Sequence, residues 1–161
     1  MQWAFLTSLH LTHNRLSVVP SPLSSLTNLT TLSLSYNRIS NIPPKFFAAA
    51  SKLADLQIAW NDLHDLPPDL FLPLQPSLTH LDLSGNMLEA LPPSLSHLGS
   101  LKALLATNNQ LAELPDDIGR LGRLERLEVS ENHLAFLPES VGGLHRLRAF
   151  QLFGNSVSSA H

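Results

Sequence analysis

LKALLATNNQLAELPDDIGRLGR, residues 101–123, runs without a break into LERLEVSENHLAFLPESVGGLHR, residues 124–146. Both 23-residue units follow one pattern, L-x-x-L-x-L-x-x-N-x-L-x-x-L-P-x-x-I/V-x-x-L-x-x. A fixed period of this size is the signature of a solenoid, in which each repeat buries its apolar face only against its neighbours. Working outward, the first leucine of each unit falls at Leu6, Leu29, Leu53, Leu78, Leu101, Leu124 and Leu147. The asparagine recurs seven times, at Asn14, Asn37, Asn61, Asn86, Asn109, Asn132 and Asn155. The proline recurs in the first six units, at Pro20, Pro43, Pro67, Pro92, Pro115 and Pro138. Trp3 stands where the frame would put the tail of an earlier unit, and Ala160 and His161 stand where Leu and Pro belong. The array therefore reads as cut or eroded at both ends, within a single domain over residues 1–161.

The x-L-x-L-x segment of each unit alternates apolar and polar residues, which is strand periodicity with one buried face. Leu9 and Leu11, Leu32 and Leu34, Leu56 and Ile58, and Leu81 and Leu83 are expected to point into a shared core. Stacked units then form a parallel sheet. The asparagine follows the strand, where a side-chain amide satisfies backbone groups of neighbouring turns, so its column is read as structural. The Pro-initiated return is too short for a long helix, and short helical or 3-10 turns are expected there. Units two and three carry longer returns, PPKFFAAASK and PPDLFLPLQPS, where Phe46 and Phe47 are expected to fill space between turns.

These seven units resemble the leucine-rich repeat, and among its classes the 23-residue LPxxL repeats of intracellular Ras-pathway scaffolds, LAP-type polarity proteins, plant Ras-group-related proteins and fungal adenylate cyclases. The resemblance implies an α/β solenoid, a horseshoe with a concave parallel β-sheet and short turns on its convex side. It further implies a protein-protein interaction module in intracellular signalling or scaffolding, with a small GTPase or a phosphatase subunit as the kind of partner. The alternative is a structural segment of a longer array or receptor-like protein, with no binding role of its own.

The outward positions define the concave face. Its first column is Ser8, Thr31, Asp55, His80, Ala103, Arg126 and Ala149, and its second is His10, Ser33, Gln57, Asp82, Leu105, Glu128 and Gln151. The third is Thr12, Ser35, Ala59, Ser84, Thr107, Ser130 and Phe153. The fourth, just before the asparagine, is His13, Tyr36, Trp60, Gly85, Asn108, Glu131 and Gly154. His13, Tyr36 and Trp60 share a column on consecutive units and are expected to form one aromatic patch, residue types enriched at interface hot spots. Asp55, Gln57, His80 and Asp82 lie beside it, and Leu105 and Glu128 complete the expected contact set.

Composition narrows the classes. A formal net charge of −3 removes a broad electrostatic attraction for nucleic acid. No run approaches the roughly 18 apolar residues of a membrane helix. The N-terminus has no basic lead followed by an apolar run, so no signal peptide is read. The sequence contains no cysteine, which excludes disulfides and thiolate zinc sites and fits a reducing compartment. A cytoplasmic location follows as the expectation, and the sequon Asn28-Leu29-Thr30 matters only in a secreted chain. Between Lys52 and Lys102 there is no Lys or Arg, but there are six carboxylates, Asp55, Asp62, Asp65, Asp69, Asp82 and Glu89. Such a segment suits a basic partner or serves as a solvated rim. His80, Asp82 and Ser84 match a hydrolase trio by type, but alternate strand residues lie too far apart to relay a proton. No enzymatic activity, cofactor or metal is expected.

Overall fold

The computed structural model describes residue 3 and residues 5–158; Ala160 and His161, which break the repeat pattern, lie outside the described residues. Seven strands form one parallel sheet in chain order: β1 Ser8–His10, β2 Thr31–Ser33, β3 Asp55–Gln57, β4 His80–Asp82, β5 Ala103–Leu105, β6 Arg126–Glu128 and β7 Ala149–Gln151. The pairing never slips. First-column residues pair with first-column residues, central leucines with central leucines, as in Asp55↔His80, Leu56↔Leu81 and Gln57↔Asp82. A slip by one residue would turn every leucine out to water, so the alternating pattern fixes the register.

Behind the sheet the leucines of successive units stack into one continuous core. Leu32, Leu56, Leu81, Leu104 and Leu127 are buried at the strand centres, followed by Leu34, Ile58, Leu83, Ala106 and Val129 one step on. Leu9 and Leu11 depart from the expectation of full burial. Among the described residues their strand has a neighbour on one side only, and they are half-buried. Phe150 and Leu152 are half-buried at the other end for the same reason.

The proline column has a defined task. In all six units that carry it, the proline carbonyl accepts the N–H of the residue three further on: Leu23, Phe46, Leu70, Leu95, Ile118 and Val141, at 2.9–3.1 Å. That i→i+3 bond starts the tight convex return, and proline's fixed φ pre-sets it. Five returns are regular 3-10 helices, at Ser21–Ser25, Leu72–Leu74, Pro93–His97, Ile118–Arg120 and Glu139–Gly143. The second unit makes hydrogen-bonded turns instead, and Lys45 adopts a left-handed φ of 63° within them. Phe46 and Phe47 are buried there edge to face, with ring centroids 5.1 Å apart and an interplanar angle of 82°. Between the two lengthened returns lies an apolar recess of about 400 Å³, lined by Pro44, Ala48, Pro67, Leu70 and Leu72 among others. Among the described residues no helix is long and apolar enough to cross a membrane.

Candidate functional site

Every described strand ends at the second column, and the chain then turns sharply. All seven fourth-column residues adopt the left-handed conformation: His13, Tyr36, Trp60, Asn108 and Glu131 at φ 53–57°, Gly85 and Gly154 at 65° and 67°. The position is therefore the corner at which the chain leaves the sheet, not an outward strand site as its spacing suggests. The corner is held between units, because its N–H donates to the third-column carbonyl of the next one, as Tyr36 to Ala59 at 2.8 Å and Trp60 to Ser84 at 2.7 Å. The αL region is sterically costly for bulky side chains, which is why Gly and Asn occupy three of the seven corners.

Tyr and Trp occupy two others, and their rings stack. His13 and Tyr36 lie with centroids 4.3 Å apart, Tyr36 and Trp60 6.0 Å apart, both pairs within 12° of parallel. Tyr36 is 47% and Trp60 45% exposed, so the stack presents a ledge to solvent. Gly85 is its seat: a Cβ there would stand 2.5 Å from Cδ2 of Trp60. Gly85→Ala is accordingly expected to dislodge the indole and to cost roughly 1–2 kcal/mol for the left-handed backbone. Trp60 fluorescence in a Trp3→Phe background, read with a melting curve, checks this. Gly99→Ala, where a Cβ meets nothing within 4 Å, is the silent control.

Beside the ledge, β3 and β4 place four polar groups in a square, Asp55 next to His80 and Gln57 next to Asp82. The Gln57 amide Nε2 donates to both oxygens of Asp55 at 3.2 Å, and its Oε1 accepts the Ser33 hydroxyl at 3.1 Å. Asp82 Oδ1 accepts the backbone N–H of Ser84 at 3.0 Å. His80 Nδ1 lies 2.8 Å from the Thr79 hydroxyl, which donates to the Ala54 carbonyl at 2.9 Å. Since that hydroxyl has one proton to give, Nδ1 is assigned the N–H. Within the trio His80, Asp82 and Ser84 the bond described runs from the Ser84 backbone N–H to Asp82, while the His80 ring turns to Thr79, so the three side chains form no relay. Among the described residues no group of three or more His, Cys, Asp or Glu is arranged to hold a metal.

The rest of the concave face is less accessible than its columns imply. Ser33, Ser35, Ala59, Ala103 and Ser130 are buried, because strands at sheet spacing bring larger neighbours over small side chains. Glu128 departs furthest from the expected contact set. It is 8% exposed, and its Oε1 accepts from Arg126 Nε at 2.6 Å and Nη2 at 2.5 Å. An acid already neutralised on its own strand is not free for a partner. Leu105, in register with Asp82, is half-buried. The structure therefore brings Tyr36, Trp60 and His13 together as a ledge and Asp55, Gln57, His80 and Asp82 as an adjoining square, and sets Glu128 apart. Gly85, which seats the indole, belongs to the site without having been singled out by residue type.

The model of the leucine rich repeat matches residues 5–63 and 51–111. A probable serine/threonine-protein kinase of Dictyostelium discoideum is 45% identical over 62 residues, which are 38% of this chain and 5% of that protein. In the complex of Toll with Spatzle from Drosophila, the similar chain superposes with a TM-score of 0.87 at 25% identity, covering 94% of this chain and 22% of the other. The ectodomain of the Arabidopsis thaliana receptor kinase GASSHO1/SCHENGEN3, solved with CASPARIAN STRIP INTEGRITY FACTOR 2, gives 0.84 at 27% identity over 96% of this chain and 19% of that one. The chain thus spans 5–22% of the length of these three similar proteins. With its seven-unit period, its parallel sheet and a matching model across two thirds of its length, the chain belongs to the leucine-rich repeat family.

Proposed function

We propose that this chain is a protein-binding module, without catalytic activity of its own, whose partner lies on the concave face and contacts the ledge of His13, Tyr36 and Trp60. One observation carries the reading: Tyr36 and Trp60 sit half-exposed at left-handed corners. Backbone strain of about 1–3 kcal/mol at each such residue is tolerated where a function needs it. The stacking of the rings offsets part of that cost, and aromatic side chains held rigid lose little freedom on binding. The two similar structures, the Toll complex with Spatzle and the receptor-kinase ectodomain with CASPARIAN STRIP INTEGRITY FACTOR 2, support protein partners in general. The finer reading is an intracellular signalling or scaffolding role in the cytoplasm, with a small GTPase or a phosphatase subunit as partner. It rests on the LPxxL likeness and the cysteine-free sequence.

Capture of partners from lysate by wild type and by Tyr36→Ala with Trp60→Ala tests the reading. Loss of a specific partner by a double variant that still folds is the expected result. Retention of every partner overturns the ledge as the contact. Such retention would favour a second reading, a spacer within a longer array, for which the half-buried Leu6, Leu9 and Leu11 at one end and Leu147, Phe150 and Leu152 at the other already speak.

A further inference from the structure

The concave face carries a charge of its own. Apart from histidines, its acidic and basic residues are Asp55, Asp82, Arg126, Glu128 and Glu131. Arg126 and Glu128 neutralise one another on β6. The Glu131 carboxyl leans over Gly154, towards the last unit. Asp55 and Asp82 remain, half-buried beside the aromatic ledge, and neither joins an ion pair among the described residues. Arg15 and Arg38, the cations close to the ledge in sequence, stand two residues past His13 and Tyr36, on the turn that leaves the sheet.

Both carboxylates are already positioned. Asp55 is held by Gln57 Nε2, and Asp82 by the Ser84 N–H. An ionised carboxylate offers about four acceptor sites, so each keeps unused capacity on its open side. The two residues are diagonal neighbours across β3 and β4, and strand spacing and rise set their Cβ atoms roughly 8 Å apart. A planar guanidinium, with donors on both sides of its fork, suits two neighbouring carboxylates better than a point-like ammonium does. Trp60 follows three residues after Gln57, the register partner of Asp82, and its ring lies over Gly85, three residues past Asp82; Leu105 pairs with Asp82 from the next strand.

On these grounds we propose that the concave face at units two to four docks an extended, arginine-bearing segment of a partner protein, with one guanidinium between Asp55 and Asp82 and apolar side chains against the ledge and Leu105. This rests on the concave-face reading above and adds the partner's chemistry. The sign of the charge sets nucleic acid and anionic lipid aside, because Asp55 and Asp82 would repel a phosphate where they attract a guanidinium.

The probe is a fluorescein-labelled peptide of roughly ten residues, built of Gly-Arg-Leu repeats, with a Gln-for-Arg counterpart. Anisotropy titrations use the full chain at about 50 and about 300 mM salt, a range over which exposed charges become screened. The arginine peptide is expected to bind at least about tenfold more tightly than the glutamine peptide, and to weaken with salt. Asp55→Asn with Asp82→Asn should remove that advantage and the salt dependence. Asp65→Asn with Asp69→Asn, exposed and away from the strands, should leave both unchanged. The proposal is overturned if the arginine peptide does not bind, if the two peptides bind alike, or if the Asp65/Asp69 pair matters as much as Asp55/Asp82. The outcome separates from that of the underlying reading. A captured partner lost by Tyr36→Ala/Trp60→Ala but kept by Asp55→Asn/Asp82→Asn leaves the concave site standing and rejects the cationic segment.

Discussion

Asn132→Ala is expected to lower the stability of the array by about 3–5 kcal/mol, although it removes one small polar side chain and leaves no large void. Asn132 is buried and joins two units. Its Oδ1 accepts the N–H of Leu111 at 3.0 Å, while Nδ2 faces the carbonyls of Ala106 at 2.9 Å, Val129 at 3.0 Å and Ser130 at 3.1 Å. The carbonyls are shared along the ladder. Ala106 O also accepts from Asn109, Val129 O from Asn155, and Ser130 O from the N–H of Asn108, so each keeps a partner. The Leu111 N–H finds its acceptor in Asn132 alone among the described bonds. Burying that donor unpaired costs roughly 1–3 kcal/mol, and the weakened carbonyl bonds supply the rest.

Two further substitutions separate this account from a general effect of size. Asn132→Asp keeps the acceptor for Leu111 but turns a carboxylate oxygen on the carbonyls that Nδ2 now serves, so it should destabilise at least as much as alanine. Asn14→Ala, at the exposed first rung, loses, among the described bonds, those to Leu11 and Thr12 of its own unit and should cost under about 1 kcal/mol. Urea unfolding of the three variants decides it. Equal costs for Asn132→Ala and Asn14→Ala would mean that the inter-unit bonds contribute nothing.

The fold was legible because one pattern is written seven times. The leucines fix the inward face, the asparagine marks the rung, and the proline marks the start of the return. The corner is not encoded in the leucine periodicity, yet its signal is present. Gly85, Asn108 and Gly154 are the residue types that tolerate positive φ, and they recur at one position of the frame. Tyr36 and Trp60 obscure the signal because their neighbours, rather than their own propensity, hold them there. Accessibility was the other gap. A column assignment says which way a side chain points, but not whether the next strand's longer side chain covers it. Glu128 is hidden by Arg126 two residues earlier on its own strand, and Ser33 lies beneath Gln57 of the next. Both depend on rotamers chosen in the folded state, which periodicity does not encode.

Leu127→Ala should cost about 2–5 kcal/mol as a buried large-to-small change, and lower the melting midpoint by roughly 4–20 °C. Leu127 is wholly buried at the centre of β6, in register with Leu104 on one side and Phe150 on the other. The cavity therefore weakens two stacks at once. The consequences on the two sides are unequal, because the sixth unit is the only described neighbour of the seventh strand. In a nearest-neighbour array, stability is a sum of unit and interface contributions, so weakening the interface to a terminal unit releases that unit first. Hydrogen exchange at Ala149, whose N–H donates to Glu125 O at 3.1 Å, should accelerate more than exchange at Asp55, whose N–H donates to Thr30 O at 3.0 Å within the array. Leu9→Ala sets the scale from the other end: half-buried and, among the described residues, in register with Leu32 on one side only, it should cost clearly less than Leu127→Ala. An unchanged midpoint for Leu127→Ala would refute the inward assignment. A uniform rise in exchange across β3 and β7 would show instead that the array unfolds as one cooperative block, with coupling between units stronger than the cavity can break.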